Sequence, residues 1–368
     1  MGGGKFDRAI HRRQFLSAAG VTLGAAALTL ANTQCDAALV RRLQQQKTAS
    51  PPRHRVWVWQ FSADGRADQI AANLAADSCA VMVKTHDGLE WMSTYDHAAG
   101  AISGPAQVQT IASIFERAGV PFHAWAVVKG VNTAREAQMA ADVLAAGARS
   151  LTLDLEGSSG FWLGSKDDAL RFGDELRQRT PFGRVDISID PRPWRINLVP
   201  MNEFVAFTDA IWPQLYWDTF DTSANIDGYR ASGYSSPGGM SPEFLLNATA
   251  SILQPYNRPV LPVGQGAAAD PASWPRFAHR AWELKMELIS VWRYGVTPAA
   301  TLGYLGANPP GQEPQAPPAT ATPSAVATPT QVRTNTPTAT ATRRPTRTPT
   351  AMPTPTSTPT PPAVGPTP

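Results

Sequence analysis

Asp154 and Glu156 stand two residues apart in the stretch Leu151-Thr152-Leu153-Asp154-Leu155-Glu156-Gly157. With the period of a strand, the three leucines fall on one face and Thr152, Asp154 and Glu156 on the other. Two carboxylates at i and i+2 lie roughly 6–7 Å apart at Cα. The deeper acid, Asp154, would repel charge on Glu156 and keep it protonated, ready to donate. Such a pair suits protonation of a glycosidic oxygen, a reaction that needs carboxylates and no cofactor. A salt-bridge cluster with Lys84 or Arg293 is the structural alternative for the same two acids.

Other apolar or alternating runs end in groups that could serve the same chemistry. Trp59 and Gln60 close one run, and Lys84, His86 and Asp87 follow another. His123 and Trp125 share a third, and Asp186, Ser188 and Asp190 alternate with isoleucines in a later one. Gln214 and Tyr216 face one way, and Trp292 and Arg293 end the last run. The opposite ends of these runs carry fewer such groups. Asp190, Asp218 or Tyr216 is the expected second catalytic group beside Glu156 and Asp154. Trp59, Trp125, Trp217 and Trp292 could stack on sugar rings, with Lys84, His86, Asp87, Gln214 and Arg293 as polar contacts. Lys84 also admits Schiff-base chemistry, which a desolvated lysine can support. The six histidines show no metal-binding spacing, and no glycine-rich phosphate loop is present, so no metal or cofactor is implied.

These groups need a scaffold that brings strand ends together. Strand-like runs recur at 55–61, 79–85, 121–128, 150–156, 184–190, 210–216, 258–264 and 287–293. Helical patterns lie between several of them, at 67–76, 106–118, 133–146, 166–179 and 271–284, with another near 242–253. Gly119 and Gly147 sit just past two helices, and Thr133, Ser165 and Asp270 lie near N-caps. Eight strands alternating with helices predict an α/β fold of the (β/α)8 TIM-barrel type, whose catalytic groups collect at the C-terminal strand ends. An open doubly wound sheet is the alternative, but no Gly-x-Gly-x-x-Gly opens a first helix.

The barrel is expected over residues 54–306. Residues 1–35 read as an export signal of the twin-arginine type, from Arg12-Arg13-Gln14-Phe15-Leu16 and the mild apolar run after it. Residues 36–53 read as a linker, and residues 307–368 as a disordered Pro/Thr-rich tail. An exported protein, extracellular or attached to the cell envelope, follows, with no stable membrane span after signal removal. The net charge of +3 misleads about partners. Without residues 1–54 and 307–368 the chain keeps 20 basic and 26 acidic residues, so nucleic acid is not implied. The two cysteines provide no disulfide framework, and a monomer is expected.

Several short motifs resemble glycoside-hydrolase-like barrels and are distantly similar to the family 25 lysozymes. They are Trp57-Val58-Trp59, Val83-Lys84-Thr85-His86-Asp87-Gly88, His123-Ala124-Trp125, Leu153-Asp154-Leu155-Glu156-Gly157 and Pro213-Gln214-Leu215-Tyr216-Trp217. The resemblance implies Glu156 as the acid and Asp154 as its partner. A chitinase-type barrel also ends its fourth strand in Asp-x-Glu. Its two further acids are absent, since Arg149 and Thr152 occupy those places, and Val56–Phe61 lacks the lysozyme's first-strand aspartate. The expected function is cleavage of a cell-wall or extracellular polysaccharide, peptidoglycan included. A non-catalytic carbohydrate-binding barrel and a Schiff-base lyase using Lys84 are the alternatives.

Overall fold

Among the described residues eight strands arise at the eight alternating runs, and a ninth, short one follows the second of them. They are β1 (Arg55–Val58), β2 (Ala80–Asp87), β3 (Glu90–Trp91), β4 (Phe122–Val127) and β5 (Leu151–Leu155), followed by β6 (Val185–Ile189), β7 (Ile211–Leu215), β8 (Val263–Gln265) and β9 (Ser290–Trp292). The structure, a computed structural model, describes residues 51–315 except Ser159, Pro237 and Glu287. The expected signal, most of the linker and nearly all of the tail lie outside the described residues. Eight of the strands are parallel and close into a barrel, because β1 pairs with both β2 and β9. The ninth, β3, turns back antiparallel on the end of β2.

The helices follow the periodicity. Lys166–Arg179 and Pro242–Leu253 form as expected, and Thr133–Ala145, Pro105–Arg117 and Ser273–Glu283 shift by a residue or two at their ends. Ser165 begins a capping box with Asp168, whereas Asn132, not Thr133, caps the helix after β4. Gly119 and Gly147 adopt φ of 74° and 118° just past their helices, where a side chain would be strained. The β8 and β9 segments pair over shorter stretches than their apolar runs. Pro259 and Pro262 lack an N–H and interrupt the ladder, leaving an isolated bridge at Val260 before β8 starts.

Strand alternation divides the core in two. Leu151, Leu153 and Leu155 face outward into the layer between barrel and helices, together with Ile187, Ile189 and Phe172. Thr152 and Asp154 face inward and are buried. The barrel interior is filled by a second cluster built on Trp57, Met82, Trp125 and Trp212. Trp57 packs against Trp125, Trp292 and Trp212 at ring-centroid separations of 5.3, 5.9 and 6.4 Å, all tilted or edge-on. These indoles close the barrel as a plug and form the floor on which the open end is built.

Below the plug the expectation of few polar groups fails. Arg55, His123, Ser150 and Asp186 gather at the N-terminal ends of β1, β4, β5 and β6. The Arg55 guanidinium lies 3.8 Å from Asp186, donates to Ser150 at 3.2 Å, and covers the Trp212 ring at 4.6 Å. Trp212 Nε1 donates to Asp186 at 3.0 Å, and His123 shares a 2.8 Å hydrogen bond with Ser150. Burial lowers the Arg55 pKa to about 9 in spite of the neighbouring Asp186. Replacing Asp186 by Leu leaves a buried guanidinium without its carboxylate and should cost about 3–5 kcal/mol in urea unfolding. Adding Arg55→Met should recover part of that loss. A double variant no more stable than the single one would show that the pair is not coupled.

Candidate active site

The inward face of β5 delivers Asp154 and Glu156 to the C-terminal mouth of the barrel, Asp154 within the strand and Glu156 one residue past its end. Register sets Asp154 beside Ser188 of β6 and Val127 of β4. From β7, the Gln214 side-chain amide donates to Asp154 at 3.0 Å, to Ser188 at 3.2 Å and to Glu156 at 3.4 Å. One amide therefore ties both carboxylates to β7, two strands away. Burial, and next the charge on Glu156, raise the Asp154 pKa from 3.8 to about 7. Burial followed by the charge of Asp190 raises Glu156 as well. Tyr216, on the same side of β7 as Gln214, is pushed well above its ordinary range by burial and then by Asp154 and Glu156, so its phenol stays protonated.

These groups open into a cavity of about 480 Å³. Trp57, Trp125 and Trp292 give it an aromatic floor, with Phe161, Tyr95 and Trp59 at its walls. Two strands round the barrel from the carboxylates, Lys84 reaches Asp87 at 2.7 Å, and Lys129, in the loop after β4, reaches it at 2.6 Å. Lys84 also lies over the Trp125 ring at 5.0 Å. Against the upward push of burial, hydrogen bonds from the two lysines hold Asp87 below the usual carboxylate range.

Two buried carboxylates outside the cavity hold the loops that shape it. Asp64 accepts from the Trp59 N–H at 2.7 Å and from Gly295 at 3.1 Å, and it also receives Arg293. Arg293 thereby sits over Trp59 at 5.3 Å, joining the ends of β1 and β9. The Trp292–Arg293 peptide bond is cis. Glu136 accepts four backbone N–H bonds, from Lys129, Gly130, Val131 and Asn132, at 2.6 to 3.2 Å. That carboxylate fixes the loop after β4 and, with it, Lys129.

Ten of the residues singled out in the sequence converge on the cavity: Glu156, Asp154, Ser188, Gln214 and Tyr216 on one side, and Lys84, Asp87, Trp59, Trp125 and Trp292 around them. The others lie elsewhere. Asp190, just past β6, is clamped by Arg192, which donates to it from Nε at 2.9 Å and bonds its backbone N–H to the same carboxylate. Asp218 is locked to β8 through Gln265 and the Ala269 N–H, both at 2.7 Å. His86 is fully buried, shares a 2.9 Å hydrogen bond with Thr85, and has its pKa lowered to about 3 by burial. Trp217 packs outward against Trp274 and Phe277. Arg293 acts through Asp64 and Trp59. Sequence reasoning missed Trp57, Tyr95, Lys129 and Phe161. Trp57 was within reach, because it shares the parity of Trp59 on β1. Among the described residues no group of three or more His, Cys, Asp or Glu could hold a metal ion, and no helix is long and apolar enough to cross a membrane.

No protein-family model and no curated protein matches the chain. Among solved structures it is similar to the C-terminal domain of a protein described as a chitinase from Desulfitobacterium hafniense, at 11% identity and a TM-score of 0.47. That match covers 70% of this chain and 98% of the other. Active domain 2 of a thermostable Pyrococcus furiosus chitinase is similar at 12% identity and a TM-score of 0.46, over 70% and 95% of the two chains. A β-mannanase from Streptomyces thermolilacinus is similar at 14% identity and a TM-score of 0.40, over 66% and 78%. Likeness at this level concerns the barrel and leaves substrate and reaction open.

Asp154 also makes stability depend on pH. Its folded-state pKa is raised, so its contribution is fully present below the unfolded pKa of 3.8 and is lost as pH rises through about 7. Asp154→Asn removes that dependence. Urea unfolding from pH 4 to 8 should therefore show the variant gaining stability relative to the parent as pH rises. A constant difference across that range would mean the carboxyl is not held protonated by the fold.

Proposed function

We propose that the protein is an exported glycoside hydrolase that cleaves a cell-wall or extracellular polysaccharide by carboxylate acid–base catalysis. The observation that carries this reading is the Asp154–Glu156 pair, joined by the Gln214 amide at the open end of an indole-floored cavity. Glu156 is the outer and more exposed of the two acids, and its raised pKa suits a proton donor to the glycosidic oxygen. Asp154 lies deeper, and the two interact strongly enough that their protons belong to the pair. As Glu156 gives up its proton, Gln214 and the Tyr216 phenol remain to stabilise the negative charge left on the pair. The indole faces match the apolar faces of pyranose rings.

Asp190 and Asp218 are engaged by Arg192 and by Gln265, which favours Asp154 over either as the second carboxylate. The same observation supports a second reading, a barrel that binds glycans without cleaving them. The Lys84 ammonium is set between Asp87 and the Trp125 face, surroundings that suit a cation better than an imine-forming amine.

The test is sugar release by the full chain from peptidoglycan, chitin and bacterial or plant glucans. Glu156→Gln should lower release by about 100-fold or more, with glycan affinity retained. Release at the parent rate would remove Glu156 from the chemistry. Glycan binding with no release from the parent or the variant would establish the second reading.

A further inference from the structure

The acid pair occupies one side of the cavity, and the lysines of β2 and of the loop after β4 line another. Asp87 receives Lys84 on Oδ2 and Lys129 on Oδ1, so two ammonium groups share one carboxylate. Asp87 balances one of the two charges, and Asp154, which feels Lys84, keeps its proton up to about pH 7 and so does not balance the other. Each ammonium has three donors, and among the described residues Asp87 is the one carboxylate within ion-pair distance of either. The nearby Glu136 carboxylate is committed to its four backbone N–H bonds.

The lysines are also held in place. Lys84 is buried, with its charge on the Trp125 face. The Lys129 stem lies over Gly88, where a Cβ would come within 2.9 Å of its Cδ. Gly88 has a φ of 58°, so glycine serves both the tight turn and the passage of the lysine. Both ammonium groups line the same cavity as Asp154 and Glu156. A neutral sugar has no need of an excess cation there, whereas a sugar acid would complete the charge balance.

We propose that Lys84 and Lys129 form a subsite for a carboxylate carried by the glycan, so that the ligand of this barrel is an acidic polysaccharide. The proposal rests on the reading that the cavity binds glycans, but not on their cleavage. The carboxylate has two chemical sources, a uronic acid ring or an acid linked through an ether to a ring hydroxyl.

Calorimetric titration of the full chain carrying Glu156→Gln tests it with four probes: hexuronate oligosaccharides, the same oligosaccharides after carboxyl reduction, carboxymethyl-ether glucan oligosaccharides, and their unmodified parents. At low salt, at least one acidic series should bind about tenfold more tightly than its neutral counterpart. The series that shows the preference identifies the source of the carboxylate. Lys129→Met should bring the ratio close to one, and Lys129→Arg should restore it. Equal affinity for acidic and neutral partners, no binding of either acidic series, or a preference unchanged in Lys129→Met would overturn the proposal. Acid-selective binding by a parent chain that cleaves nothing would remove hydrolysis and leave the subsite standing. Cleavage of neutral glycans without acid selectivity would do the reverse.

Discussion

Placing two carboxylates on the inward face of one strand constrains everything around them. The outward face of that strand is three buried leucines, so its register cannot slip by one residue without exposing them and burying the acids among the helices. The acids must then be accommodated where they are. Solvent reaches Glu156 but scarcely reaches Asp154, and the Gln214 amide is the group that touches both. Its place beside the pair depends on the parallel order of the sheet, which sets β5, β6 and β7 side by side. The pair's chemistry and the fold's topology are therefore one requirement. A buried acid that cannot carry its charge cheaply keeps a proton, and a protonated acid at the mouth of a cavity is a donor.

Around that pair the charged groups are divided by role. Asp64, Asp96 and Glu136 take backbone N–H groups and hold the loops after β1 and β4. Asp190 and Asp218 tie down the segments after β6 and β7. Among the described residues, Asp154, Glu156 and the Lys84–Asp87–Lys129 group are the acidic and basic side chains that line the cavity. Rigid loops carrying preset dipoles suit a site that must not reorganise when charge develops.

Much of this was readable from period and parity. The two-residue alternation of β5 revealed both its leucine face and its acid face, because one side of a barrel strand is always packed against helices. Parity also placed Gln214 and Tyr216 together. It stopped being informative one or two residues beyond each strand, where the backbone turns. Trp217 and Asp218 belong to the short helix Trp217–Phe220 and so point away from the direction that strand alternation would give them. Asp190 faces a similar turn, and its capture by Arg192 depends on backbone geometry that residue types do not reveal. Lys129 escaped notice because its partner Asp87 lies on a neighbouring strand far away in sequence. The polar cluster at the N-terminal end was hidden for another reason. Arg55 and Asp186 look like strand-edge residues until closure of the barrel brings their ends together.

The indole plug has a consequence for how the two ends of the barrel influence each other. Trp57, Trp125, Trp212 and Trp292 lie between the Arg55–Asp186 pair and the acid pair. They admit little water and carry no formal charge. Such a layer acts as a dielectric spacer along the barrel axis. Charges at the foot of the barrel can be rearranged by evolution, or lost, while the proton affinity at its mouth is set locally by groups on or just past β5, β6 and β7 and by Lys84 of β2. The fold thus houses two separate electrostatic compartments, one devoted to holding the strands together and the other free to diverge with the ligand.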